Sequence, residues 1–264
     1  MMAVEVHEGS CPIVLGLPHT GTLVPDDIFA RLNARGQSLS DTDWHVHTLY
    51  EQVLPGASTV RATFHRYVVD ANRDPSGVSL YPGQNTTGLV PLTDFDGTPI
   101  WEEAPDADEI EVRRLAYHAV YHAALEAELQ RVRDIHGIAI LYDCHSIRSV
   151  IPHLFEGTLP DFNIGTNLGT TCAPEIEAAV AEICGGAGGF TSVTNGRFKG
   201  GWTTRHYGRP EESLHAIQME LAQSTHLHDE TEGWGYDPIK AARLRPVLKT
   251  ILETLADLAP KLKG

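Results

Sequence analysis

Short apolar runs alternate along this chain with longer stretches of helical periodicity. Ile13–Leu17 and residues 138–142 are unbroken apolar runs of strand length, and residues 60–69 read as one or two further strands. Residues 215–221 alternate instead, with Ile217, Met219 and Leu221 on one face and Ala216, Gln218 and Glu220 on the other. Helices fall between these runs. Pro25-Asp26-Asp27 places acids in a first turn ahead of residues 28–32, and Asp41-Thr42-Asp43 opens a second helical stretch with Val46, Leu49, Tyr50 and Val53 on its apolar side. The clearest helix covers 109–136, with Asp108 as cap, Ile110, Ala116, Val120, Leu125, Leu129 and Val132 on one side, and Gly137 as the stop. Another covers 174–184 and ends at Gly185-Gly186. Asp237-Pro238 starts a last helix that reaches Leu258 and bends at Pro246. Strands interleaved with helices predict an α/β layered fold.

Residues 76–107 break this rhythm, being rich in Gly, Pro, Asn, Thr and Asp, and read as a long irregular excursion of the kind that often carries function. No linker and no repeat of 20 to 50 residues divides the 264 residues, so one domain spanning 1–264 is expected. No run approaches the roughly 18 apolar residues of a membrane span, and residues 1–10 carry Glu5, His7 and Glu8 where a signal peptide needs a basic and then an apolar region. A soluble cytoplasmic protein that does not engage a membrane is the expectation. Residues 185–189 are glycine-rich but lack the GK[ST] ending of a phosphate loop, and read as a helix stop.

Charge narrows the function. With 20 basic residues against 35 acidic ones, and a net charge of -15, the chain cannot easily assemble the clustered basic surface that nucleic acid requires. Only five of the basic residues are lysines, and guanidinium suits two-point recognition of carboxylates. Cys11, Cys144, Cys172 and Cys184 show no C-x-x-C spacing, which leaves them as reduced, structural thiols.

Three polar motifs follow strand-like runs: Pro18-His19-Thr20-Gly21, Asp70-Ala71-Asn72-Arg73 and Asp143-Cys144-His145-Ser146. Residues beyond the carboxyl ends of strands line the crevice of an open α/β sheet, so the three can meet although far apart in sequence. His19 and His145 are candidate metal ligands, with Asp143 able to orient the imidazole of His145. A third ligand can come from Asp43, Asp41 or His45. Two histidines and one carboxylate leave a fourth position for water on a tetrahedral ion, the pattern of catalytic zinc, although cobalt, manganese and iron accept the same donors. Glu220, opposite the apolar face of its strand, is either a solvated residue or a general base. Asn72 and Arg73 can clamp a carboxylate. Residues 195–210, with mobile glycines and the cations Arg197, Arg205 and Arg209, read either as a solvated hairpin or as a cover that recognises a small dianion.

Taken with Leu80-Tyr81-Pro82-Gly83-Gln84 and Gln218-Met219-Glu220-Leu221-Ala222-Gln223, these motifs resemble the N-formylglutamate amidohydrolase family over nearly the whole chain. That family is similar to zinc carboxypeptidases and aspartoacylases, which implies a three-layer αβα sandwich around a mixed β-sheet, of the phosphorylase/hydrolase-like kind. The resemblance implies His19, Asp43 and His145 on a divalent metal, zinc first; Asn72 and Arg73 on a substrate carboxylate; Glu220 as base; and Arg148 assisting at the oxyanion. The carboxypeptidases place their acidic ligand three residues after the first histidine, where this chain has Thr22, so the role passes to Asp43. Ala71 and His226 stand where leucine and tyrosine are usual. The implied reaction is hydrolysis of N-formyl-L-glutamate, a small acidic substrate, to formate and L-glutamate, a late step in one route of histidine breakdown. The competing readings are a metal-dependent deacylase of another N-acyl amino acid and a non-catalytic binder of metal or acidic ligands. A Cys144 or Ser146 nucleophile paired with His145 is disfavoured, since strand neighbours point to opposite faces.

Overall fold

The computed structural model describes residues 2–79 and 83–262. Among them, seven strands form one mixed sheet: β1 (Val4–His7), β2 (Ile13–Leu17), β3 (Ser58–Ala62), β4 (Ala139–Ile147), β5 (Phe162–Gly165), β6 (Ser192–Thr194) and β7 (Leu214–Ala222). Their order is β1-β3-β2-β4-β7-β5-β6. The central four, β3, β2, β4 and β7, run parallel, whereas β1 opposes β3 and β5 opposes β7. The helices are α1 (Asp26–Phe29), α2 (Ala34–Gln37), α3 (Val46–Tyr50), α4 (Ala107–Arg113), α5 (Ala119–His136), α6 (Pro174–Gly186), α7 (Trp202–Tyr207) and α8 (Pro238–Leu258), with a π turn at Arg114–His118 joining α4 to α5. None of them is long and apolar enough to cross a membrane.

The period-two alternation of the strands builds a core on each side of the sheet. Ile13, Leu15, Ile140, Tyr142, Ile217 and Met219 bury themselves under α3, α6 and α8, while Val14, Val60, Leu141, Leu214 and Ala216 meet α5 on the other face. This is the expected three-layer sandwich. The alternation also sorts the polar residues: Asp143 and His145 on β4, and Gln218 and Glu220 on β7, share the face of Leu141 and Ala216 but lie toward the carboxyl ends. From β2 the chain leaves toward β3, and from β4 it leaves toward β5 on the opposite side. The crevice at β2 and β4 is therefore a topological switch point, where open α/β sheets bind ligands.

Local boundaries differ from the sequence expectation where side chains replace the regular backbone ladder. The first helix stops at Phe29 instead of continuing to Leu32. Residues 41–43 form a turn tied by Thr42 Oγ1 to the Leu39 carbonyl, and α3 begins only at Val46, after His45 in the left-handed region at φ 60°. The apolar run 60–69 is strand only to Ala62; beyond it His65 Nδ1 accepts the Tyr67 N–H and the chain coils toward Asp70. The long helix starts at Ala107 because Asp106, not Asp108, accepts the Glu109 N–H. Strand β4 continues through His145 to Ile147, so the Asp143-Cys144-His145 motif lies on the strand and not past it. Gly185 and Gly186 belong to the last turn of α6. Asp237 caps α8 as expected, accepting from the amides of Ile239 and Lys240, and α8 runs through Pro246 as one element. All four cysteines are unpaired. Leu80, Tyr81 and Pro82 of the family motif lie outside the described residues.

Two buried histidines make the fold acid-sensitive. His226 bonds the Trp44 carbonyl at 3.0 Å and His122 bonds the Ala71 carbonyl at 2.7 Å. Burial lowers His226 to about 4 and His122 to about 3. Between those values and the ordinary 6.5, the unfolded chain binds protons that the folded chain refuses. The stability they contribute is present above pH 6.5 and lost as pH falls through 4 and then 3, at up to about 1.4 kcal/mol per pH unit for each group. Urea unfolding of the native protein and of His226→Tyr between pH 7 and 4.5 should give a shallower acid slope for the variant; equal slopes would remove His226 from this account.

Candidate metal centre and active site

Three buried side chains converge at the switch point. His19, in the turn after β2, and His145, on β4, bring their Nδ1 atoms within 3.2 Å of each other. Asp43 Oδ2 stands 3.8 Å from the first and 3.3 Å from the second. Four ligands at the usual zinc distances sit about 3.3 Å apart on a tetrahedron, so this triangle has the dimensions of three corners.

A carboxylate stands behind each imidazole, on the side away from the triangle. His19 Nε2 meets Asp70 Oδ1 at 2.7 Å, and His145 Nε2 meets Asp143 Oδ1 at 3.1 Å. In the tautomers that donate these outer N–H groups, both Nδ1 atoms present lone pairs toward a carboxylate oxygen. Three converging acceptors in a buried space repel one another unless a proton or a metal cation lies between them, and imidazoles backed by carboxylates are the usual way of presenting such a ligand set to a metal. The donor set thus fits a divalent ion, and His19, Asp43 and His145 are the group with metal-binding geometry among the described residues. The outer carboxylates are fixed in turn: Asp143 accepts from Thr204 Oγ1 at 2.9 Å, and Asp70 from the Asn72 N–H at 2.8 Å. Arg66, also buried, donates to Asp43 Oδ1 at 2.6 Å.

The electrostatics follow from these contacts. Burial alone would raise Asp43, but Arg66 and the two histidines outweigh it and hold the carboxyl ionised. Asp70 is likewise kept well below the carboxylate range, burial being outweighed by Arg73, His19 and Arg66. Burial lowers His145, yet Asp143, Asp43 and Glu220 together draw positive charge to it and raise its pKa. Glu220 pairs in register with His145 across β4 and β7. It is buried, which raises its proton affinity, with Asp43 and Asp143 acting in the same sense and His145 and Arg66 opposing. The reading of Glu220 as a solvated strand residue is therefore overturned: its sheet face is covered on this side as well.

The centre opens into a cavity of about 220 Å³. Residues 77–79 and 85–89 form one wall, so the excursion beginning at Ser76 is part of the site, and Arg66, Arg73, Arg197 and Phe198 line the rest with Asn72 and Glu220. That volume is below the range of drug-sized pockets and suits a small molecule. Arg73 is braced by the Thr87 carbonyl at 3.0 Å and hydroxyl at 2.8 Å, and Arg197 by the Leu154 carbonyl at 3.0 Å.

His19, Asp43, His145, Asn72, Arg73, Arg197 and Glu220 are thus brought together. The other candidates are not. Asp41 turns away to accept the Phe95 N–H, and His45 meets the Trp234 carbonyl at 2.9 Å, which leaves Asp43 as the carboxylate of the triangle. Arg148 pairs with Asp96 at 3.0 Å and does not line the cavity. Arg205 and Arg209 also lie outside it, because residues 202–207 close into α7 instead of a loop: Arg205 bonds the Gly200 carbonyl and Arg209 sits 3.3 Å from Glu212. Cys144 faces the opposite core, where burial pushes its thiol well up, so it is no nucleophile for this site. Arg66 was hidden in the sequence by its place in the apolar run 60–69. Gln218 was legible only through its parity with Glu220: its Oε1 accepts the Gly201 N–H at 2.7 Å, which turns its amide nitrogen to Glu220 Oε2 at 3.2 Å.

Known proteins resemble this chain over nearly its whole length. The sequence profile of the N-formylglutamate amidohydrolase family matches residues 11–227. N-formylglutamate deformylase of Pseudomonas aeruginosa is 45% identical over 94% of this chain and 93% of its own length. That of Pseudomonas putida is 44% identical over 96% and 95%. The crystal structure of N-formylglutamate amidohydrolase from Ralstonia eutropha JMP134 superposes with a TM-score of 0.81 at 26% identity, covering 98% of this chain and 99% of that one. A gene product of Agrobacterium tumefaciens shares the fold, with a TM-score of 0.70, 18% identity and 96% of each chain covered.

Proposed function

The chain belongs to the N-formylglutamate amidohydrolase family, and on that premise we propose that it hydrolyses N-formyl-L-glutamate to formate and L-glutamate at the centre formed by His19, Asp43 and His145. The observation that carries this reading is the meeting of that triangle, the buried Glu220 and three guanidinium groups at one small cavity. His19 and His145 through Nδ1 and Asp43 through Oδ2 would hold a divalent ion, zinc first from the donor set. When bound, such an ion supplies Lewis acidity and a water of lowered pKa.

The chain's own residues do the rest. Glu220, kept basic by burial and its acidic neighbours, accepts the proton of the attacking water and returns it to the departing amine, serving first as base and then as acid. Gln218 fixes the carboxylate for both transfers. Arg66 places a buried positive charge beside Asp43, where it can stabilise negative charge developing on the formyl oxygen, the part that the sequence assigned to Arg148. Asn72 and Arg73 hold the α-carboxylate, and Arg197 offers a second guanidinium for the side-chain carboxylate.

The test is to measure metal content and release of formate and glutamate on one purified sample, against other N-acyl amino acids. Bound metal without formate release would leave a binder or a deacylase of different selectivity. Arg73→Ala should raise KM for N-formylglutamate about 10- to 100-fold, the loss expected for a charge-assisted two-point contact. Equal turnover of N-formylglutamate and its α-amide by the native protein would remove the carboxylate role from Asn72 and Arg73.

A further inference from the structure

One helical rod grips the loop that presents Asn72 and Arg73. His122 Nε2 lies 2.7 Å from the Ala71 carbonyl, and His118 Nε2 lies 2.9 Å from the Arg73 carbonyl, so the peptide units that flank the Asn72-Arg73 pair are both held. Arg113, one helical segment earlier, reaches the Val68 carbonyl of the same loop at 3.4 Å. In an uninterrupted α-helix, side chains five residues apart diverge by about 140°. The π turn at Arg114–His118 closes with i→i+5 bonds, which returns the fifth residue to nearly the same face and puts Arg113 and His118 on one side. Four residues further, His122 follows on that side. Single π turns of this kind recur at functional sites.

The gripping nitrogens are themselves oriented. The Ala71 carbonyl can only accept, so His122 Nε2 donates to the loop, while Nδ1 lies 3.0 Å from the Tyr207 hydroxyl, which also donates to the His122 carbonyl at 3.1 Å. The rings of His118 and His122 are 4.4 Å apart, and both pack on Trp202, at 5.5 and 4.6 Å. Trp202 opens α7, and the next residue, Thr203, donates its N–H to Asn72 Oδ1 at 2.9 Å. The loop is thus held at its carbonyls from one side and at the Asn72 side chain from the other. Asp70 does not depend on this grip for its contact with His19, since its own amide is anchored to the Leu89 carbonyl at 2.7 Å.

We propose that His118 and His122 are positioning residues that set Asn72 and Arg73 for carboxylate recognition, through the face created by the π turn. The proposal rests on the reading of Asn72 and Arg73 given above. Neither histidine lines the cavity, and both are buried, so their influence passes through the loop backbone.

His118→Phe keeps the ring against Trp202 and removes the donor; His118→Gln restores an amide N–H at similar reach. The phenylalanine variant should raise KM for N-formylglutamate about tenfold, with kcat within about threefold and metal content unchanged, and the glutamine variant should return KM to near native. A fall in kcat and metal content with native KM, or a glutamine variant as impaired as phenylalanine, would assign His118 to the fold alone and overturn the proposal. Should His118→Phe fail to fold, His122→Phe and His122→Gln take its place. If neither phenylalanine variant folds, glutamine variants of unaltered stability with native KM uphold the donor role, and destabilised ones overturn it. Arg73→Ala serves as the reference: unchanged KM there removes the carboxylate assignment and the proposal with it, whereas a raised KM there beside a native KM in His118→Phe removes the proposal alone.

Discussion

Glu220→Gln should lower kcat by at least about 100-fold while the bound metal stays in place. The substitution conserves size and leaves a polar group beside Gln218, but it removes the proton acceptor, and general-base catalysis contributes about 10² to 10⁴-fold. Metal affinity should survive because Glu220 is outside the triangle of His19, Asp43 and His145. Measuring kcat and metal content on the same preparation separates an enzyme from a binder. Near-native turnover with full occupancy would exclude Glu220 as base and leave Asp143 as the other carboxylate on that face of β4 and β7, although Asp143 is already engaged by His145 and Thr204.

His145→Ala should weaken metal binding by more than about 100-fold. Loss of an outer partner of a metal-binding histidine costs about 10 to 100-fold in affinity, and loss of the ligand itself must exceed this. Asp143→Asn provides the internal scale, since it weakens the bond at His145 Nε2 and leaves Nδ1 in the triangle. Competition with a chromophoric chelator would read both variants, with circular dichroism confirming that each is folded. Stoichiometric metal retained by His145→Ala would place the ion elsewhere.

Both predictions use residues that the chain displayed openly, and the reason is geometric. A strand announces its faces by parity, so Ile217, Met219 and Leu221 told which way Glu220 points, and the uninterrupted run at Ile13–Leu17 announced a buried strand with His19 at its end. Turn residues offer no such period. Arg66 lies where apolar residues continue after the strand has ended, since Tyr67, Val68 and Val69 are buried by coil packing as completely as β3 is by the sheet. Asp41, Asp43 and His45 were equivalent by spacing. Only the left-handed backbone at His45 and the turn at 41–43 decide that Asp43 points inward. The π turn is invisible to periodicity of either kind, and the arginines Arg205 and Arg209 were misplaced because six residues of helix turned an expected loop outward.

The switch point between β2 and β4 also divides the site by origin. Parallel strands and their immediate ends supply His19, His145 and Glu220, while the walls that meet the rest of the substrate come from residues 77–79, 85–89 and 197–198, which are outside the sheet. On the proposed reading, the reacting groups come from the sheet, and recognition of the substrate side chain by Arg197 comes from a wall outside it. Replacing the two wall segments as blocks would retarget such a scaffold to a different acylated amino acid, and drift in those segments among relatives would change diet before it changed reaction.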